Sequence, residues 1–184
     1  MNKSNALPVI ILDRDGIINE DSPYYIKSED EFIFLPGSIE AIARLCAAGY
    51  RIGVATNQSG VSRGYYSEAK LAAIHEKMMY HVLEADGRID EIVYCLHLPE
   101  VNCRCRKPNP GMLFDLATRF FCKPSDMIFI GDMITDIQAA ESAGAKPILV
   151  VSSMTGQNTL QDYPHVQVFN SLANCVDSIL DEGI

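Results

Sequence analysis

The sequence predicts an α/β fold: a mainly parallel, Rossmann-like sheet flanked by helices. Short, wholly apolar runs alternate with helical patterns from one end of the chain to the other, which is the order of β–α–β units. Those runs lack the polar-apolar alternation of half-exposed strands, so both faces of the sheet are expected to be covered. Size agrees. At 184 residues, 48% apolar and 21% charged, the chain suits one domain, 1–184, with a real core, and is too apolar for disorder.

The elements follow in order. Val9-Ile10-Ile11-Leu12 is the first strand and stops at Asp13. Ile39, Ile42, Leu45 and Cys46 recur at helical spacing, entered through Pro36-Gly37-Ser38 and closed by Gly49. Ile52 to Ala55 is the second strand and ends at Thr56. Over about 67–85, Leu71, Ile74, Met78 and Val82 form a second helical stripe. Ile92-Val93-Tyr94 is the third strand and runs into a cluster of cysteines. Asn109-Pro110 starts a helix carrying Met112, Leu113, Leu116 and Phe120, proline being tolerated at a first helical position. Met127 to Ile130 is the fourth strand, a helix from about Thr135 closes at Gly144, and Pro147 to Val151 is the fifth strand.

Several classes of function are excluded. A net charge of −9 argues against a nucleic-acid partner gripped by phosphate neutralisation. No apolar run approaches the roughly 20 residues of a membrane helix, and Met1 to Pro8 lacks the apolar core of a signal peptide. A cytoplasmic monomer acting on a small molecule, with no membrane partner, is expected. Cytosolic thiols stay reduced, so the six cysteines do not imply disulfides. Cys46, Cys122 and Cys175 stand alone and read as buried packing.

Polar residues collect just after strands: Asp13 and Asp15, Thr56 and Asn57, Asp132 and Asp136. In open α/β sheets this is the edge where ligands bind. In an extended ending, residues i and i+2 share a side, so Asp13 and Asp15 face one site before Gly16 lets the chain turn. Any one of these aspartates could be a turn or capping residue. Together they need a cation, and an oxygen-rich site suits Mg²⁺. Separately, Cys95, His97, Cys103 and Cys105 supply three thiolates and one imidazole, a closed tetrahedral shell for Zn²⁺ that would staple loop 95–105. His75 and His81, on a helical pattern, and His165 read as packed or solvent-facing, and Arg104 as a solvated charge.

The ordered set Asp13-Arg14-Asp15-Gly16, Thr56-Asn57, Lys107 and Gly131-Asp132 with Asp136 resembles the haloacid-dehalogenase-like (HAD) phosphatase superfamily. The zinc loop narrows the likeness to the family of heptose-bisphosphate and histidinol-phosphate phosphatases. The resemblance implies that Asp13 attacks phosphorus and that Asp15 serves as acid and then base. It implies Mg²⁺ held by Asp13, Asp132 and the backbone carbonyl of Asp15, with Asp136 behind them. Thr56 and Lys107 would hold the transferring phosphoryl oxygens. Asp21, Ser22, Pro23, Tyr24, Asn57, Gln58 and Ser59 would line a sugar pocket, and Arg106, fixed by the zinc loop, would meet a second phosphate or ring hydroxyls.

Within the family, Asp13 to Asn19, Thr56 to Gly60, Arg63-Gly64 and Cys105 to Met112 resemble the heptose enzymes, whereas the short zinc loop with Leu98-Pro99 is similar to the histidinol-phosphate enzymes. Ile17 stands where the family has Thr, and Met133 where heptose enzymes have Lys. Only 40 residues separate Asp15 from Thr56 and 50 separate Thr56 from Lys107, so no cap domain is expected. Two non-enzymatic readings remain, a phospho-receiver signalling domain and a zinc-stapled binding module.

Overall fold

In a computed structural model, residues 9–156 and 161–182 are described; the reading of the first eight residues lies outside them. The expected strands appear as β1 (Val9–Leu12), β2 (Arg51–Asn57), β3 (Glu91–Cys95), β4 (Met127–Gly131) and β5 (Lys146–Val150). A sixth, β6 (Gln167–Phe169), escaped the sequence reading. It is a short edge strand with two of its three residues exposed, so it carries no apolar run to notice. All neighbours pair in parallel, in the order β3-β2-β1-β4-β5-β6.

Helices among the described residues include α1 (Ser38–Ala47), α2 (Glu68–Glu84), α3 (Gly111–Arg119), α4 (Ile134–Ala143) and α5 (Leu172–Glu182). Helix α2 starts where the Ser67 hydroxyl accepts the Lys70 N–H at 3.2 Å, a side-chain N-cap. Helix α5 was not read from the sequence, although Leu172, Cys175, Val176 and Ile179 make a regular buried stripe. It explains why Cys175 is buried. Cys46 and Cys122 are only half-buried, so the expectation of buried packing fails for them.

The pleat divides the core. Ile10, Leu12, Ile52 and Val54 point to one face, under α1, α2 and α5. Val9, Ile11 and Phe129 point to the other, under α3 and α4. Each fully buried aliphatic chain contributes about 1.5–3 kcal/mol relative to exposure. Central β1 is thereby fixed from both faces and both edges, and the Asp13 N–H continues the ladder to the Ile130 carbonyl at 2.9 Å. Strand order reverses between β1 and β4, and in such sheets the crevice at the carboxyl end of that switch point receives ligands.

Candidate active site

Asp13 leaves β1 with its side chain turned into that crevice. Its Oδ1 accepts the Arg14 N–H at 2.7 Å, and its Oδ2 lies 2.8 Å from Lys107 Nζ. The same ammonium lies 2.7 Å from Asp136 Oδ1 and donates to the Ala55 carbonyl at 3.1 Å. Asp136 occupies the first turn of α4, where its Oδ2 accepts the N–H groups of Asp132 at 3.1 Å and Met133 at 2.9 Å. An acid in a first helical turn also suits the helix dipole. Two glycines make the close approach possible. Gly16, at φ +80°, packs where any Cβ would collide with the Asp132 carboxylate, and a Cβ on Gly131 would collide with that of Asp136.

The oxygens of Asp13, Asp132 and Asp136 come within 4.8 Å of one another, and all three residues are buried. Burial pushes the Asp13 carboxyl well up, and Asp136 and Asp132 push the same way against Lys107. Burial and then Asp136 push Asp132 up to about 7. For Lys107 burial opposes the charge, but Asp13 and Asp136 outweigh it and hold the ammonium's pKa up. One cation among three acids leaves an excess of negative charge. An all-oxygen donor set of this kind fits Mg²⁺, with water completing the shell. Asp136 is already engaged by Lys107 and two backbone donors, and the Asp15 carboxylate is not part of the group.

Asp15 faces the same cavity from the other side of the turn. Its carboxylate accepts from Arg14, from Asn19 Nδ2 at 2.9 Å and from Gln58 Nε2 at 2.8 Å. Burial alone would raise its pKa, but the Arg14 charge and these hydrogen bonds prevail and lower it. Gln58 Nε2 also donates to Thr56 Oγ1 at 2.9 Å. Asn57 grips the Lys107 main chain from both sides, Oδ1 accepting its N–H at 3.1 Å and Nδ2 donating to its carbonyl at 3.2 Å.

These groups surround a cavity of about 320 Å³, whose wall also contains Asp21, Ser22, Ser59 and Arg106. Pro23 and Tyr24, expected in the sugar pocket, lie outside the wall, and Tyr24 is 78% exposed. Tyr25 turns inward instead, at φ 67°, and packs against Tyr65 with the rings tilted by 57° and their centres 5.2 Å apart. A larger cavity of about 510 Å³ opens beside Gly16, Asp21 and Ser152, but none of Asp13, Asp15, Thr56, Lys107 and Asp132 lines it.

Two residues that the sequence reading missed sit just after β5. Ser152 Oγ donates to Asp132 Oδ2 at 2.5 Å, and Thr155 Oγ1 donates to the Asp132 carbonyl at 2.7 Å. A Ser-x-x-Thr turn at the carboxyl end of a predicted strand was the available signal. Of the two alternatives read for His75, packed or solvent-facing, the structure shows the packed one: it is 5% exposed and lies against Arg14. His81 and His165 are exposed, the latter 2.6 Å from Glu141, and Arg104 is exposed as expected.

Next to the site, Cys95, His97, Cys103 and Cys105 close into a second group of possible metal ligands. Five of their donor pairs lie 3.1–3.5 Å apart. That is too long for disulfides, whose sulfurs are about 2.05 Å apart. It approaches the roughly 3.8 Å that separates sulfurs held tetrahedrally on one ion at about 2.3 Å each, the Zn²⁺ distance. Burial pushes the Cys95 thiol up to about 12, whereas the Arg106 N–H and the neighbouring thiols overcome burial at Cys103 and bring it to about 7. The loop is tied to the cavity, since Arg106 Nη1 donates to the His97 carbonyl at 3.3 Å.

The chain is similar to known proteins over nearly its whole length. A family model described as HAD-hydrolase-like matches residues 104–175. The D-glycero-beta-D-manno-heptose-1,7-bisphosphate 7-phosphatase of Neisseria meningitidis is 42% identical over 182 residues, covering 96% of this chain and 97% of the relative. The enzyme of the same name from Pseudomonas aeruginosa is 44% identical over 173 residues, covering 94% and 97%. The crystal structure of D,D-heptose 1,7-bisphosphate phosphatase from B. bronchiseptica, complexed with magnesium and phosphate, superposes with a TM-score of 0.90 at 42% identity, over 96% of this chain and 99% of that one. Likeness of this extent, on a sheet that gathers the expected acids at one edge, leaves neither the receiver nor the binding-module reading standing: the chain belongs to the haloacid-dehalogenase-like phosphatases, in the family of the D-glycero-D-manno-heptose-1,7-bisphosphate 7-phosphatases.

Proposed function

We propose that the chain removes the C7 phosphate of D-glycero-D-manno-heptose 1,7-bisphosphate, in the cytoplasmic supply of ADP-heptose for the lipopolysaccharide core, and acts as a monomer. The observation that carries the chemistry is a buried Asp13 carboxylate 2.8 Å from Lys107, with Asp15 facing the same cavity. The substrate follows from the relatives' activity and from a cavity polar enough for a sugar phosphate.

Asp13, Asp132 and the Asp15 backbone carbonyl would hold Mg²⁺, with Asp136 behind them anchoring Lys107 and the α4 turn. When bound, the ion neutralises the phosphoryl group and the carboxylates that meet it. Asp13 attacks phosphorus and forms an aspartyl-phosphate as the bond to the sugar O7 breaks. Arg14 and its other donors keep free Asp15 ionised, so the proton that Asp15 passes to the leaving oxygen enters with the monoanionic phosphate of the substrate. Asp15 then takes a proton from the water that attacks the phospho-Asp13, releasing inorganic phosphate and restoring both carboxyl groups. Lys107 and Thr56 hold the phosphoryl oxygens where charge develops. Asn57 serves by fixing the Lys107 backbone, while Asp21, Ser22, Gln58, Ser59 and Arg106 face the sugar and its second phosphate. Cys95, His97, Cys103 and Cys105 would hold a structural Zn²⁺ that keeps Arg106 at the cavity wall.

The short zinc loop favours one second reading, hydrolysis of histidinol phosphate. Phosphate release from heptose 1,7-bisphosphate, both anomers, and from histidinol phosphate tests the choice directly. At least tenfold higher kcat/KM on a heptose bisphosphate is expected, and a preference for histidinol phosphate would overturn the assignment. Elemental analysis should find one zinc per chain.

A further inference from the structure

Arg14 lies inside the Asp13–Gly16 motif, yet the chemistry above gives it no task. Its side chain is completely buried. A guanidinium is held in such a place only when its donors are met. Nη2 forks onto Asp15, 2.9 Å from Oδ1 and 3.1 Å from Oδ2, and Nε reaches Oδ1 at 3.2 Å. The Phe32 ring packs on the guanidinium at 5.8 Å. Nη1 points away from the cavity, to His75 Nε2 in α2 at 3.4 Å. Arginine can only donate, so Nε2 is the acceptor and the His75 ring is neutral with its proton on Nδ1. Burial, and then the Arg14 charge, hold the His75 pKa at about 3, so the ring stays neutral across the working range. The His75 ring is braced in turn by Tyr94, 5.6 Å away between centres.

Asp15, Arg14 and His75 thus form a line running from the cavity into the body of α2. A carboxylate on a short side chain can rotate about two torsions, and proton transfer to a bound ester oxygen requires one orientation. We propose that Arg14, braced by His75, is the positioning residue that fixes the Asp15 carboxylate for proton transfer to the leaving oxygen. This rests on the reading of Asp15 as acid and base. His75 touches neither the Asp15 carboxylate nor the cavity wall and acts only through Arg14.

The test exploits leaving groups. A sugar alkoxide needs a proton to depart, whereas 4-nitrophenolate does not. Rates of alcohol or phenol release in the first turnover are measured on heptose 1,7-bisphosphate and on 4-nitrophenyl phosphate, with Mg²⁺ present, for wild type, Asp15→Asn, Arg14→Lys, His75→Leu and His75→Gln. Arg14→Lys keeps the charge but loses the fork. It is expected to slow sugar release about 100-fold and phenol release less than about fivefold, with KM within about twofold. His75→Leu should show the same selectivity at about tenfold, and His75→Gln, which can again accept from Nη1, should restore most of the rate. Equal losses on both esters, or no loss, in Arg14→Lys and His75→Leu would overturn the positioning role while Asp15→Asn still discriminates between the esters. If Asp15→Asn itself slows both esters alike, the acid-base reading of Asp15 falls first. Thermal unfolding of each variant checks the fold, and the His75→Leu and His75→Gln pair decides the matter should Arg14→Lys not fold.

Discussion

At the strand edge, Asp13, Lys107, Asp132 and Asp136 come from three distant segments, are all buried, and are held by a strand ladder and a helix turn. In the loop, four candidate ligands come from the eleven residues 95–105, His97 is exposed, and only Cys95 of the four is fully buried. The sheet makes the first site, whereas the second site would make its own loop. A cation at the edge therefore relieves charge repulsion in a frame that already exists. A cation in the loop supplies the order that so little buried surface cannot.

Asp13→Asn breaks the chemistry and leaves the frame. Phosphate release should fall about 10⁴-fold or more, with the thermal transition within a few degrees of wild type. Substantial residual turnover in purified protein would remove Asp13 as nucleophile. Cys105→Ser breaks the loop and leaves the edge. Zinc content should drop to near zero, and kcat/KM on the bisphosphate should fall about 10–100-fold. Turnover of 4-nitrophenyl phosphate should stay within about threefold, since it makes no use of Arg106. Complete loss on both esters would mean that the two regions are not separable.

The pH dependence sharpens the contrast. In metal-free protein the Asp132 carboxyl is held up to about 7, above its unfolded value near 3.8. Between those values the folded state binds more protons than the unfolded one, so this group's contribution to stability falls as pH rises from about 4 to about 7. Thermal scans should show Mg²⁺ raising the transition more at pH 8 than at pH 5. Equal shifts at the two pH values would contradict the charge excess at the edge. The smallest effect is expected at Ser152→Ala, which removes the hydroxyl on Asp132 Oδ2. The Mg²⁺ concentration for half-maximal activity should rise about tenfold, with the thermal transition little changed.

The central strands and the helices α1 to α4 over them were legible because Val9–Leu12 or Met127–Ile130 can only be buried runs, whereas α5 went unread although Leu172, Cys175, Val176 and Ile179 carry the same helical stripe. The order of acids after them carried the candidate site. What was hidden depends on neighbours distant in sequence. The edge strand β6 has a partner but no hydrophobic signature. Ser152 and Thr155 look like any polar turn until β5 sets them beside Asp132. His75 lies on the buried stripe of α2 between Leu71 and Met78, and only the fold shows that its partner is Arg14. Tyr24 and Tyr25 are adjacent and chemically identical, and the left-handed backbone at Tyr25 decides which one turns inward. Spacing carries no information about that choice.

The pairing of β1 has a consequence for the order in which the protein is made. Val9 pairs with Arg51 on one side and with Met127 on the other. As the chain leaves the ribosome, β1 can dock on β2 early, but its other edge stays open until β4 has emerged. Through that interval Asp13 lacks Asp132 and Asp136, and two of the most apolar strands in the chain have no cover from α4. Closing so long a loop is slow, and open strand edges invite association with other chains. A site that needs Asp132 can therefore be complete only once the chain through β4 and the turn after it has been made.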